Sequence, residues 1–161
     1  RELDAFYEHL DSGMWEPSID HVTLLQEYVQ SPEPFITRVE IVGGRFLSAL
    51  KSDTSRGFQL CPAEGCEAEA DPQAIFSLRQ GCDDPIVARY AAFMAAHHID
   101  VAGIEFVENE RGEKVTYDVN GTTNYSPAVE ARHGFNGMAQ IAALVAGELE
   151  RAHPAAASTR G

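Results

Sequence analysis

Apolar positions change period several times along the chain, and each change marks an element. Leu3, Phe6, Tyr7 and Leu10 recur at helical spacing, predicting a short helix over 1–10 that Asp11-Ser12-Gly13 closes. HVTLLQEYVQ (21–30) is β-branched and aromatic, which predicts a strand. SPEP (31–34) breaks it, because each proline removes a backbone donor, and is the expected hinge between two lobes. FITRVEIVGGRFLSALKSD (35–53) predicts a hairpin, with Gly43-Gly44 supplying the positive φ angles of a two-residue turn. Pairing Val42 with Arg45 sets Arg38 opposite Ala49 and Ile36 opposite Lys51, so Arg38 and Lys51 are expected on one face.

GFQL (57–60) predicts a short strand, and 61–74, with Glu64, Glu67, Glu69 and Asp71, an acidic loop. Asp84 is a candidate N-cap and Pro85 a first helical residue. Ile86, Val87, Tyr90, Met94 and His98 then continue at helical spacing to about His98. His97 and His98 fall in the last turn, where positive charge is favoured, and read as helix-end residues. VAGIEFVENERGEKVTYDVN (101–120) predicts a second hairpin, turning at Arg111-Gly112. A last helix is expected over 136–152, with Met138, Ile141, Val145 and Leu149 as its buried stripe, followed by a frayed tail over 153–161. Hairpins alternating with helices imply an α+β fold, an antiparallel sheet with helices packed on one face.

The 161 residues suffice for one domain with a real core. A net charge of -13 disfavours nucleic acid and an anionic membrane, while suiting a cation site or a solvated acidic surface. No apolar run approaches the roughly 18 residues of a membrane span. Three cysteines (Cys61, Cys66, Cys82) are too few and too odd for a disulfide framework and point to a reducing compartment, the cytoplasm. They would supply three zinc ligands, but no His stands at a convincing spacing for a fourth. The chain opens without Met and already in helical pattern, so the natural protein is expected to begin upstream.

The second hairpin carries the chemistry. A tight turn pairs Glu110 with Glu113, so Glu105 faces Asp118 and Gly103 faces Asn120. Alternation places Lys114, Thr116, Asp118 and Asn120 on one side of the strand, and Val115, Tyr117 and Val119 on the other. Two carboxylates directly opposite, about 5 Å apart at Cβ, repel each other. A shared proton, a nearby Lys or Arg, or a hard cation such as Mg²⁺ would offset that, with Asn120 adding a neutral oxygen. Solvated residues on an open sheet face would need no such partner, and the residues alone leave both readings open. Arg38 and Lys51 on the first hairpin would hold phosphate oxygens opposite a metal, or pair with Glu40 or Asp53 as ordinary salt bridges.

Four stretches together resemble the C-terminal lobe of ATP-grasp enzymes, most closely the glutathione-synthetase-like and ribosomal-protein glutamate ligase branch. They are LLQEYV (24–29), FITRVEIVGGRFLSAL (35–50), VAGIEF (101–106) and YDVNGTTNY (117–125). The resemblance implies a remnant of the small lobe plus hinge strand over 1–30, the large lobe over 31–152 and a flexible tail over 153–161. By position it makes Glu105, Asp118 and Asn120 the Mg²⁺ ligands, with Mn²⁺ as an alternative. It places Gln26, Glu27, Tyr28 and Val29 around the adenine of ATP. It gives Arg38 the charge of the transferring phosphoryl group, with Lys51 assisting and Asn124 meeting substrate. Relatives commonly carry Glu where Asp118 stands, and the shorter acid is expected to move the metal or weaken it.

The chemistry implied is ATP-dependent carboxylate–amine ligation through an acyl phosphate, on an amino-acid or peptide substrate. A homo-oligomer is compatible with the stripe of the last helix. Residues 1–23 hold no lysine and no glycine-rich loop, so the fragment is expected to have little ligase activity alone. The alternative is a non-catalytic nucleotide-binding or assembly module that retains the large-lobe fold.

Overall fold

The computed structural model describes residues 26–55, 76–80, 85–123, 125 and 127–153, plus the isolated positions 4, 7, 8, 19, 20 and 22. The expected helix over 1–10, the GFQL strand, the acidic loop, Asp84, Asn124, the three cysteines and the end of the tail lie wholly or mostly outside these residues. Five strands form one antiparallel sheet: β1 (Phe35–Val42), β2 (Arg45–Asp53), β3 (Phe76–Leu78), β4 (Val101–Glu108) and β5 (Lys114–Asn120), in the order β3-β2-β1-β4-β5. Three helices among the described residues complete the fold: α1 (Pro85–Ala96), α2 (Pro127–His133) and α3 (Gly137–Ala152). The α+β architecture expected from the sequence is therefore present. Residues 26–30, expected as the end of a hinge strand, are not paired into the sheet.

The first hairpin turns where expected. Gly43 and Gly44 adopt φ angles of 57° and 72°, and Val42 pairs with Arg45. The register then shifts between Glu40 and Ile41, because Leu47 is an extra residue on β2. Arg38 consequently pairs with Leu50, and Lys51 pairs with Thr37. This corrects the expected sharing of a face: one inserted residue flips the parity, so Lys51 lies on the side away from Arg38. Its ammonium sits 4.0 Å from the centre of the Phe35 ring.

One face of the sheet carries the core. Val39, Ile41, Ala49, Ala102, Ile104 and Phe106 pack against Ile86, Tyr90 and Met94 of α1. Helix α1 stops at Ala96, two residues short of the expectation, so His97 and His98 lie past its last turn. His98 takes a left-handed φ of 56°, and the Ile99 N–H returns to the Met94 carbonyl at 2.9 Å. That is a Schellman ending, normally built on glycine, with Ile99 folding back onto the core. His98→Gly is therefore expected to raise stability by about 0.5–1 kcal/mol, the relief of the left-handed penalty less the entropy of a freer unfolded chain. Thermal unfolding of the variant would check this.

The last helix departs most from expectation. Met138 (61% exposed), Val145 and Leu149 face outward rather than forming a buried stripe. The inward line is Gly137, Ile141, Leu144 and Gly147, and Leu144 lies against Gly43 in the first turn. The helix begins as predicted, with the Asn136 side chain accepting the Ala139 N–H at 2.8 Å. Helix α2 was not anticipated, although Pro127 stands at its first position. Its buried Glu130 accepts the Gly137 N–H at 2.6 Å, tying α2 to the start of α3.

Candidate metal- and nucleotide-binding site

The second hairpin does not turn at Arg111-Gly112 alone. Asn109 pairs with Glu113 around a three-residue loop, in which Gly112 has a φ of 74° and the Asn109 side chain accepts the Arg111 and Glu113 N–H groups. That wider turn would throw the predicted register off by one. A bulge between Glu105 and Phe106 restores it, with Tyr117 as the extra residue on β5. Glu105 thus pairs with Asp118 and Gly103 with Asn120, as expected from the sequence.

The same bulge corrects the expected alternation along β5. Lys114 and Thr116 belong to the α1 side, where the Thr116 hydroxyl lies 2.6 Å from that of Tyr90. Asp118 and Asn120 lie on the other side, opposite Glu105 and Gly103. Tyr117 joins them there, donating its hydroxyl proton to Glu105 Oε2 at 2.7 Å. Val119 falls on the α1 side, opposite Ile104. Parity on either side of the bulge is thus reversed.

On this second face the Arg38 guanidinium is the hub. Its Nε donates to Glu40 Oε1 at 2.6 Å, one Nη to Glu105 Oε1 at 3.2 Å and the other to Thr123 Oγ1 at 2.6 Å. Thr123 in turn donates to the Glu40 carboxylate, 2.8 Å from both oxygens. The planar group lies over Gly103, where any Cβ would come within 2.6 Å of it; glycine at this point is a space requirement. The repulsion inferred between Glu105 and Asp118 is therefore offset at least by Arg38, one of the remedies that the sequence left open.

Burial works against the Arg38 charge, but Glu40 and Glu105 outweigh it and raise its pKa above the usual arginine value. Tyr117 is held far above the usual phenol range, by burial first and then by its bond to Glu105 and the nearby carboxylate charges. Tyr125 is pushed up to about 12 by burial and by the charges of Glu40 and Glu130. Both phenols stay protonated at neutral pH, so Tyr117 remains a donor to Glu105.

Asn120 Oδ1 accepts the Thr122 N–H at 2.8 Å, which fixes the amide at the mouth of the loop. Among the described residues no cluster of three His, Cys, Asp or Glu side chains is gathered, so the metal candidate is two carboxylates and one amide. Beside it a cleft of about 600 Å³ runs between Gln26, Glu27, Tyr28 and Val29 on one wall and Val107, Val115 and Tyr117 on the other. Tyr117 belongs to both the cleft and the acidic cluster. Sequence reasoning missed Tyr117 and Thr123; it offered the Arg38–Glu40 pair as one reading, but as a surface bridge rather than a buried one. The signal for that pair was the i, i+2 spacing of Glu40 from Arg38 along one strand.

No family model and no curated protein matches the sequence. Solved structures do resemble it. The chain is similar to the ATP-grasp ligase PsnB, complexed with a phosphomimetic variant of a minimal precursor, Mg and ADP, at 15% identity and a TM-score of 0.49, covering 75% of this chain and 34% of that one. It is similar to the macrocyclase MdnB from Microcystis aeruginosa MRC at 16% identity and a TM-score of 0.49, covering 87% and 43%. It is also similar to a Chryseobacterium gregarium RiPP-associated ATP-grasp ligase in complex with ADP and a leader and core peptide, at 13% identity and a TM-score of 0.45, covering 72% and 34%. The chain thus spans less than half the length of each of these proteins.

Proposed function

We propose that the chain is the large lobe, over 31–152, of an ATP- and Mg²⁺-dependent carboxylate–amine ligase acting on an amino-acid or peptide substrate. One observation carries the reading. Glu105, Asp118 and Asn120 share a sheet face with Arg38, and Tyr117 joins that cluster to the cleft under Gln26–Val29. The donors are oxygens only, two acidic and one neutral, which suits a hard cation that keeps several waters and substrate phosphates in its shell. Glu105 already accepts one hydrogen bond on each oxygen, and each oxygen keeps a further lone pair for a ligand.

Bound by these three side chains, Mg²⁺ would neutralise phosphate charge. The chain's own residues bind and orient. Tyr28, Val29, Val107 and Val115 offer apolar walls for an adenine, and Arg38 brings a permanent positive charge beside the acids. The substrate carboxylate would attack the γ-phosphate, releasing ADP and forming an acyl phosphate. An amine would then displace phosphate to form the amide. Positioning and charge neutralisation suffice for both steps, so no nucleophilic side chain is needed. Residues 1–30 would belong to the hinge and the small lobe, and this chain alone would turn over little or no substrate.

Isothermal titration of the chain with ATP, with Mg²⁺ and then with a chelator, tests the reading. Binding is expected only with the cation. Cation-independent binding overturns the metal assignment. A second reading rests on the same network: both Glu105 oxygens are engaged by Arg38 and Tyr117, so the face is held together without a cation. Absence of nucleotide binding in either condition would favour a non-catalytic assembly module with the lobe's fold.

A further inference from the structure

Two of the three candidate ligands sit on separate pieces of chain. Glu105 is on β4, while Asn120 ends β5 and opens the loop that holds Thr123. The loop is not left to itself. Asn120 closes a short turn onto Thr122, and the next residue reaches across β4 to β1. There Thr123 accepts from Arg38 at 2.6 Å and donates to Glu40 at 2.8 Å, using its hydroxyl in both senses. Glu40 is 1% exposed, so its carboxylate cannot be satisfied by bulk water and must keep these partners. Arg38 extends the same chain of bonds to Glu105.

We propose that Thr123, held by buried Glu40 and Arg38, is a positioning residue that latches the loop after β5 to the sheet and so sets Asn120 against Glu105 for a divalent cation. The inference rests on the metal reading proposed above and adds residues that it does not contain. Hydrogen-bond partners of ligating groups orient them, and losing one commonly costs about 10–100-fold in metal affinity. Thr123 has the geometry of such a partner at one remove. It is not among the proposed ligands, and its bond to Arg38 ties the placement of the loop to that of the Glu105 carboxylate.

The test is Mn²⁺ titrated against the chain and followed by the electron paramagnetic resonance of the free ion. Thr123→Val keeps the shape and removes the hydroxyl, and is expected to weaken Mn²⁺ binding about tenfold or more. Thr123→Ser keeps the hydroxyl and is expected to stay within about threefold of the parent, which a role in packing alone would not produce. Unchanged affinity in Thr123→Val, or equal losses in both variants, overturns the latch. Asp118→Ala, titrated in parallel, separates the two proposals. If it loses Mn²⁺ while Thr123→Val does not, the latch alone falls. If it binds as the parent does, or if the parent binds no Mn²⁺, the metal site falls and the latch with it.

Discussion

Asp118→Ala is expected to remove Mg²⁺-dependent nucleotide binding while leaving the fold intact. Asp118 pairs with Glu105 across β4 and β5 on the face that holds Arg38 and Tyr117. Among the described residues it forms no hydrogen bond or ion pair of its own, in contrast to Glu105, whose two oxygens are both engaged. A carboxylate in that position adds repulsion to the apo sheet, so its removal should shift stability by no more than about 0.5 kcal/mol. For a cation the balance is opposite. Of the two paired acids, Asp118 is the one less compensated among the described residues, and therefore the one that more favours a divalent ion. Loss of an outer partner costs about 10–100-fold in metal affinity, and loss of a direct ligand should cost at least as much. Nucleotide titration at fixed Mg²⁺, with a thermal melt alongside, measures both halves. Binding at the parental affinity would remove Asp118 from the ligand set.

How far the sequence reached differs between the two hairpins for one physical reason. In each, the two strands and the place of the turn were legible, and in each a bulge inserted a residue without any local signal. On β2 the extra Leu47 went uncompensated, and it moved Lys51 to the face away from Arg38. On β5 the extra Tyr117 cancelled the error from a turn one residue wider than expected, so Glu105 still met Asp118. The expected pairing was reached through two opposite departures from ideal geometry. Periodicity fixes which residues share a face only between irregularities, and bulges gather where a side chain must be re-aimed. Here the re-aimed side chain is Tyr117, turned from the expected apolar side into the acidic cluster.

The last helix shows a second limit. The spacing of Met138, Ile141, Val145 and Leu149 identifies an apolar stripe, but it does not say what lies against it. In this chain the inner line is set by Gly137 and Leu144. Gly137 stands where an added Cβ would strike the Tyr125 ring, and Leu144 reaches the tight turn at Gly43. The helix is rotated by these close approaches rather than by its own most apolar face.

Glu40→Ala is expected to be among the most destabilising single changes on the site face, at about 3–5 kcal/mol. Glu40 is fully buried, and its partner Arg38 has a side chain only 17% exposed. Removing the carboxylate leaves the guanidinium in a poorly solvated place, with Glu105 as its remaining acid among the described residues and with Thr123 Oγ1 robbed of its acceptor. Breaking a buried pair from one side costs about this much because the surviving charge is uncompensated. Replacing both partners at once should cost less than the single change, since neither charge is then buried unpaired. Arg38→Met with Glu40→Leu is the appropriate double variant. Chemical denaturation of the two single variants and the double variant, read as a coupling energy, checks this. If Glu40→Ala costs less than about 1 kcal/mol, water reaches Arg38 and the hub is solvated. A large coupling instead means that the folding of the sheet depends on the same bonds that align Glu105 with the loop after β5. Substitutions in this cluster would then alter metal affinity and stability together, while Asp118 alters metal affinity alone.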